Sequence, residues 1–287
     1  MAGFSSDVVP LGKDFEEYIG LVFHPYGVYA MRDDGKYTKV QKESWSSARC
    51  ALALDDGKIL VFHSNNLYTL ASQTLATTKL GTDWGWSGTQ AVVRSTQYPD
   101  SIFAFHFNGV YKVNVADGAN TQINSSGWSL VSAGFVVPGE PEYVYLFHDH
   151  GLYKVALADG SFEKIGTDKW AMARAAIYLP EEKAALVLHA MAMYKVQLPD
   201  GACTKVNSSS WSCVKGLMTT REPDQVLVFH DWGMFKVNTK DGSHQKLSGE
   251  GWSQVSAVAP FGSVDGYISV KPHADNHGGG GGHGGGH

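Results

Sequence analysis

Residues 128–170 read WSLVSAGFVVPGEPEYVYLFHDHGLYKVALADGSFEKIGTDKW, and this stretch holds one complete repeating unit, bounded by Trp128 and Trp170. After the opening tryptophan comes a small, alternating run, SLVSAGFVV, and then a continuous apolar run, YVYLFH, closed by His148. GLYKV follows, and the unit ends on FEKI. Each run is short, apolar or alternating, and bounded by glycine, proline or aspartate, which is how β-strands read and not helices. Asp159-Gly160 separates the last two runs and marks a hairpin, because glycine accepts the positive φ the turn requires.

The same unit recurs along the chain. A histidine closes an apolar run at His24, His63, His106, His148, His189 and His230, in steps of 39, 43, 42, 41 and 41. Tryptophan recurs at Trp45, Trp86, Trp128, Trp170, Trp211 and Trp252, in steps of 41, 42, 42, 41 and 41. Five residues after each histidine stands an aromatic: Tyr29, Tyr68, Tyr111, Tyr153, Tyr194 and Phe235. Asp-Gly returns at 34–35, 117–118, 200–201 and 241–242. Four strands in about 41 residues, repeated six times, predict an all-β, six-bladed β-propeller. A seventh incomplete blade or two stacked open sheets are the alternatives.

The chain enters mid-unit, with second, third and fourth strands at EYIGLVFH, GVYAM and YTKV but no tryptophan-led first strand before them. Residues Trp252 to Pro260 form a first strand without followers, so they are expected to pair with the N-terminal three and close the ring, leaving no open sheet edge. The segment from Gly266 to His273 either adds an edge strand or packs under a face. Residues 1–270 are assigned to the propeller and 271–287 to a Gly/His-rich tail.

With 23 basic against 28 acidic residues and no cationic run, the chain lacks the footprint of a nucleic-acid binder. No apolar stretch approaches the roughly 18 residues of a membrane span, and the first twenty residues show no signal-peptide pattern. The expectation is a cytoplasmic or non-classically secreted protein that does not insert into membranes. Three cysteines, Cys50, Cys203 and Cys213, suggest neither a disulfide framework nor a zinc ribbon. Nucleophile-elbow, zincin, phosphate-loop and dinucleotide motifs are missing, so no enzyme is expected.

First strands normally line a propeller's channel, which suits the small Ser132, Ala133, Ala173, Ala175, Ser256 and Ala257. Up-and-down strands then gather the tryptophans, histidines and tyrosines at one face and the Asp-Gly turns at the other. The histidines read as structural, tying loops between blades through their two ring nitrogens. The tryptophans have two readings. They either cap the blade interface or, beside the polar loop residues Asn124, Asp168 and Asn207, stack on sugar rings. Trp84 and Trp232 fall outside the repeat, and Trp232 in HDWG is expected to be exposed.

The Trp-led unit with its Gly-x-Leu-Tyr strand, over about Leu21 to Pro260, resembles the tectonin and tachylectin group of propeller lectins. That resemblance implies glycan pockets repeated around the ring, carried by Trp45, Trp86, Trp128, Trp170, Trp211 and Trp252 with their polar neighbours. The regular histidines and Asp-Gly turns depart from it. The reading is thus a multivalent lectin-like propeller binding glycans or glycoconjugates without a required cofactor, with a protein-interaction scaffold as its rival. A third reading gives the activity to the tail, where His273, His277, His283 and His287 on a glycine-rich chain could ligate Zn²⁺, Cu²⁺ or Ni²⁺.

Overall fold

The computed structural model describes residues 16–71, 73–82, 85–249, 251–262 and, for the backbone, 268–270. Six antiparallel sheets surround an axis. Their innermost strands are Ala257–Pro260, Ala48–Ala53, Thr89–Arg94, Val131–Phe135, Ala173–Leu179 and Val214–Thr219, in blades one to six. The expected closure is present. Ala257–Pro260 pairs with Tyr18–His24 in the register Phe23↔Ala257 to Gly20↔Pro260, so the last strand of the ring completes the first blade.

Ile268–Val270 decides between the two readings of the segment after the ring. It adds a fifth strand to blade three, on the inner edge, with Ile268 opposite Val93 and Val270 opposite Ala91. There it also lies against the innermost strands of blades two and four, so this strand sits inside the ring of first strands. The four tail histidines and Trp84 lie outside the described residues.

Packing explains why the tryptophans recur. Each ring is 0–4% exposed and sits between two blades. Phe23, Phe62, Phe105, Phe147 and Phe229, each next to its blade's histidine, meet the following tryptophan edge to face at 4.8–5.5 Å. The far side of each indole meets the third-strand aromatic of the next blade, as in Trp45–Tyr68 and Trp170–Tyr194. The series ends at Trp252–Tyr29, across the closing seam. Such edge-to-face contacts are worth about 0.5–1.5 kcal/mol beyond area burial.

Turn chemistry follows the sequence closely. In the five Asp-Gly turns between third and fourth strands the aspartate Oδ1 accepts the N–H two residues on, at 2.8–3.0 Å, and the glycine has φ of +70° to +81°. At the start of the third strand, Gly233 is required for a different reason. A Cβ there would lie 2.1 Å from the Ser248 carbonyl oxygen of the fourth strand.

Candidate functional site

The second and third strands of each blade meet in a tight hairpin beginning at the repeat histidine. In five blades the imidazole Nδ1 accepts the N–H of the residue two positions on: Tyr26, Asn65, His150, Met191 and Trp232, at 3.1–3.5 Å. Blade three differs, since His106 Nδ1 meets Asn108 Oδ1 at 2.5 Å while Tyr111 donates to the same oxygen at 3.0 Å. The histidines therefore cap their own hairpins. The tie between blades falls instead to the backbone, where the carbonyls of His24, His106 and His189 accept the N–H of Trp45, Trp128 and Trp211. Burial lowers the pKa of His24 to about 4 and pushes those of His63, His106, His148 and His189 down, because an imidazolium loses water there.

This geometry corrects the expected sugar contacts. Trp45, Trp86, Trp128, Trp170, Trp211 and Trp252 present no open ring face: five are enclosed by aromatics of two blades, and Trp211 by Phe235 and His244 of blade six with Leu188 and Met193 of blade five in the same buried cluster. Asn124 and Asn207 are interblade struts. Their Nδ2 groups donate to Gly160 O at 3.1 Å and Gly242 O at 2.9 Å, the Asp-Gly turns of the next blade, while their Oδ1 atoms accept from Ser126 and Ser209. Asp168 is exposed and pushes the Cys203 thiol pKa up, an effect led by that thiol's own burial. Of the residues expected to hold glycans, Trp232 alone offers an open aromatic face, being 67% exposed.

What the sequence reading missed surrounds Trp232. Seven large apolar side chains are exposed among the described residues, and six belong to one end of the ring: Tyr26, Phe107, Met191 and Trp232 on the hairpin tips, with Leu130 and Met172 two residues after a tryptophan. Phe162, on a fourth strand, is the seventh. The tips vary from blade to blade while the capping histidine does not. A surface of this kind, apolar and irregular on a regular frame, marks an interaction site.

Toward the axis the same face is charged. The first strand of blades two to six carries a register shift one residue in, leaving Arg49, Gln90, Ser132, Arg174 and Lys215 as the extra residues of β-bulges. Bulges re-aim side chains. Arg49 Nε donates to Ser64 Oγ at 3.2 Å, Arg174 Nε to Ser212 O at 3.0 Å, and Lys215 Nζ lies 3.4 Å from Asp231. Each thus bonds a hairpin or tryptophan loop at this end of the ring, so the apolar tips stand around a polar, cation-bearing centre. Their common position, four residues after tryptophan, was available as a signal. No group of three or more His, Cys, Asp or Glu able to hold a metal occurs among the described residues.

No protein-family model and no curated protein sequence matches the chain. Solved structures do. A chain from the crystal structure of a nidogen/laminin complex superposes with a TM-score of 0.66 at 7% identity, over 84% of this chain and 97% of that one. Streptogramin B lyase gives 0.55 at 10%, over 90% and 94%, and virginiamycin B lyase from Staphylococcus aureus gives 0.57 at 8%, over 92% and 97%. At these identities the likeness shows the fold alone, which is shared by lyases and by a chain crystallised in a protein complex, so function must be argued from the site.

Proposed function

We propose that this propeller is a non-enzymatic binding protein that docks a protein partner on its hairpin-tip face. The observation that carries the reading is the gathering of six of the seven exposed large apolar side chains at one end of the ring. Aromatic and methionine anchors around a polar, arginine-bearing centre match the composition of protein interfaces. The nidogen/laminin match adds a propeller of this shape crystallised in a protein complex. A second reading retains one glycan site, at the exposed Trp232 beside Asp231.

The test is a triple variant, Phe107→Ser, Met191→Ser and Trp232→Ser, whose sites are exposed and whose thermal melt is expected to match wild type. A partner isolated with the native protein, purified and titrated by calorimetry, is expected to lose at least ~30-fold in affinity to the variant, the scale of two or more kcal/mol at hot spots. Free sugars are expected to leave that binding unchanged. Undiminished affinity in the variant would refute the assigned face, and binding competed by a monosaccharide and abolished by Trp232→Ser alone would establish the glycan reading.

A further inference from the structure

At the opposite end of the axis, where the first strands finish, lies a cavity of about 230 Å³ to which all six blades contribute, through Ala53, Arg94, Pro138, Leu179, Thr220 and Pro260 among others. Its walls are mostly apolar, with Tyr178, Thr219, Thr220, Gln225 and Thr239 among the lining residues. Among the described residues, Arg94 is the one charged residue lining it, and no acid does. The repeat does not call for a cation here. Eight residues after each tryptophan stand Ala53, Arg94, Val136, Tyr178, Thr219 and Pro260.

Arg94 is fixed in the wall, its side chain 8% exposed, and its two terminal nitrogens fork onto the Asp55 carboxylate of the neighbouring blade, Nη1 to Oδ1 at 2.6 Å and Nη2 to Oδ2. Asp55 is the loose member of the pair, on a turn with its side chain 67% exposed. The Nε–H of Arg94 is buried without a hydrogen-bond partner, so the guanidinium's donors are not used up. A buried guanidinium must keep an anion, but the exposed carboxylate can return to water at small cost. The geometry is that of a carboxylate receptor held by an exchangeable internal carboxylate.

We infer that this axial cavity binds a small amphipathic monocarboxylate, whose carboxylate takes the forked position on Arg94 that Asp55 holds and whose apolar body rests on Leu52, Ile177, Leu179 and Val226. The fork suits arginine and a planar carboxylate, and a neutral isostere has nothing to exchange with Asp55. The site lies on the opposite face from the hairpin tips and is independent of what docks there.

Calorimetric titration of the full chain with hexanoate, benzoate and phenylacetate, with benzyl alcohol as the neutral control, tests it. At least one carboxylate is expected to bind with a Kd below about 1 mM and benzyl alcohol to give no heat. Asp55→Asn is expected to raise carboxylate affinity about fivefold or more, since it removes the competitor while keeping the turn's size. Arg94→Lys, which retains charge without the fork, is expected to weaken binding about tenfold, and Arg94→Gln to abolish it. The rise on Asp55→Asn is the decisive readout, because a merely structural ion pair would give lower stability and no gain in binding, whether or not Arg94→Gln folds. Binding by neither wild type nor Asp55→Asn, or binding that Arg94→Lys leaves unchanged, would overturn the inference.

Discussion

Trp252→Ala is expected to destabilise the protein by about 3–5 kcal/mol, the usual cost of truncating a buried tryptophan, whereas Trp232→Ala, twenty residues earlier, is expected to stay within about 0.5 kcal/mol of wild type. The contrast rests on geometry. Trp252 is fully buried and edge to face with Phe229 of blade six at 5.4 Å and with Tyr29 and Tyr37 of blade one at 6.0 and 5.1 Å. It fills the seam that the ring's last strand closes, so its loss opens a cavity where the first and last blades meet. Against a total stability of about 5–15 kcal/mol the loss is large, and the melting temperature should drop by roughly 10 °C. Thermal and urea melts of both variants decide the matter. Equal, small effects would mean that the repeat tryptophans are surface groups after all, and the glycan role first expected of them would regain its basis.

The difference between these two tryptophans shows where sequence was sufficient. Period, strand order, closure at Trp252–Pro260 and the Asp-Gly turns were all legible, because each depends on spacing or on a residue's own backbone preference. Spacing places Trp45 and its five counterparts at a blade junction, yet it is the same for a ring wedged between blades and one lying on top. Only the next blade's Tyr68 or Tyr153, brought in by the fold, settles which. Bulges are harder still. A period-2 reading counts Ser132 as one more small channel residue, whereas the extra residue at this register is also Arg49, Arg174 and Lys215. Arg94 stood out from its five counterparts by type, but its fork onto Asp55 crosses between blades 39 residues apart, which no local pattern reports.

Lowering the pH from 7.5 to 5 is expected to cost about 2 kcal/mol of stability through His24 alone, as its value of 6.5 falls to about 4 in the fold. The sign follows from the neutral ring being the folded form. His24 is buried, with Lys39 adding a like charge, and its Nδ1 accepts the Tyr26 N–H, which a protonated Nδ1 cannot do. The unfolded chain therefore takes up protons that the folded chain refuses, and stability declines through the window between about 6.5 and 4. His63, His106, His148 and His189 are depressed by the same desolvation and add to the slope. Carboxylates such as Asp34, Asp56 and Glu140, held low mainly by their lysine partners in spite of desolvation, act through their own unfolded values near 4 and below, so the loss between pH 7 and 5 belongs to imidazole. Urea midpoints at pH 7.5, 6.5, 5.5 and 5.0 measure it, and His24→Gln should flatten the curve while lowering it at pH 7.5. A midpoint constant over that range would refute the capping role. The bonds that acid removes include those holding Tyr26 and Met191 at the hairpin tips, so partner affinity should weaken over the same window, ahead of global unfolding.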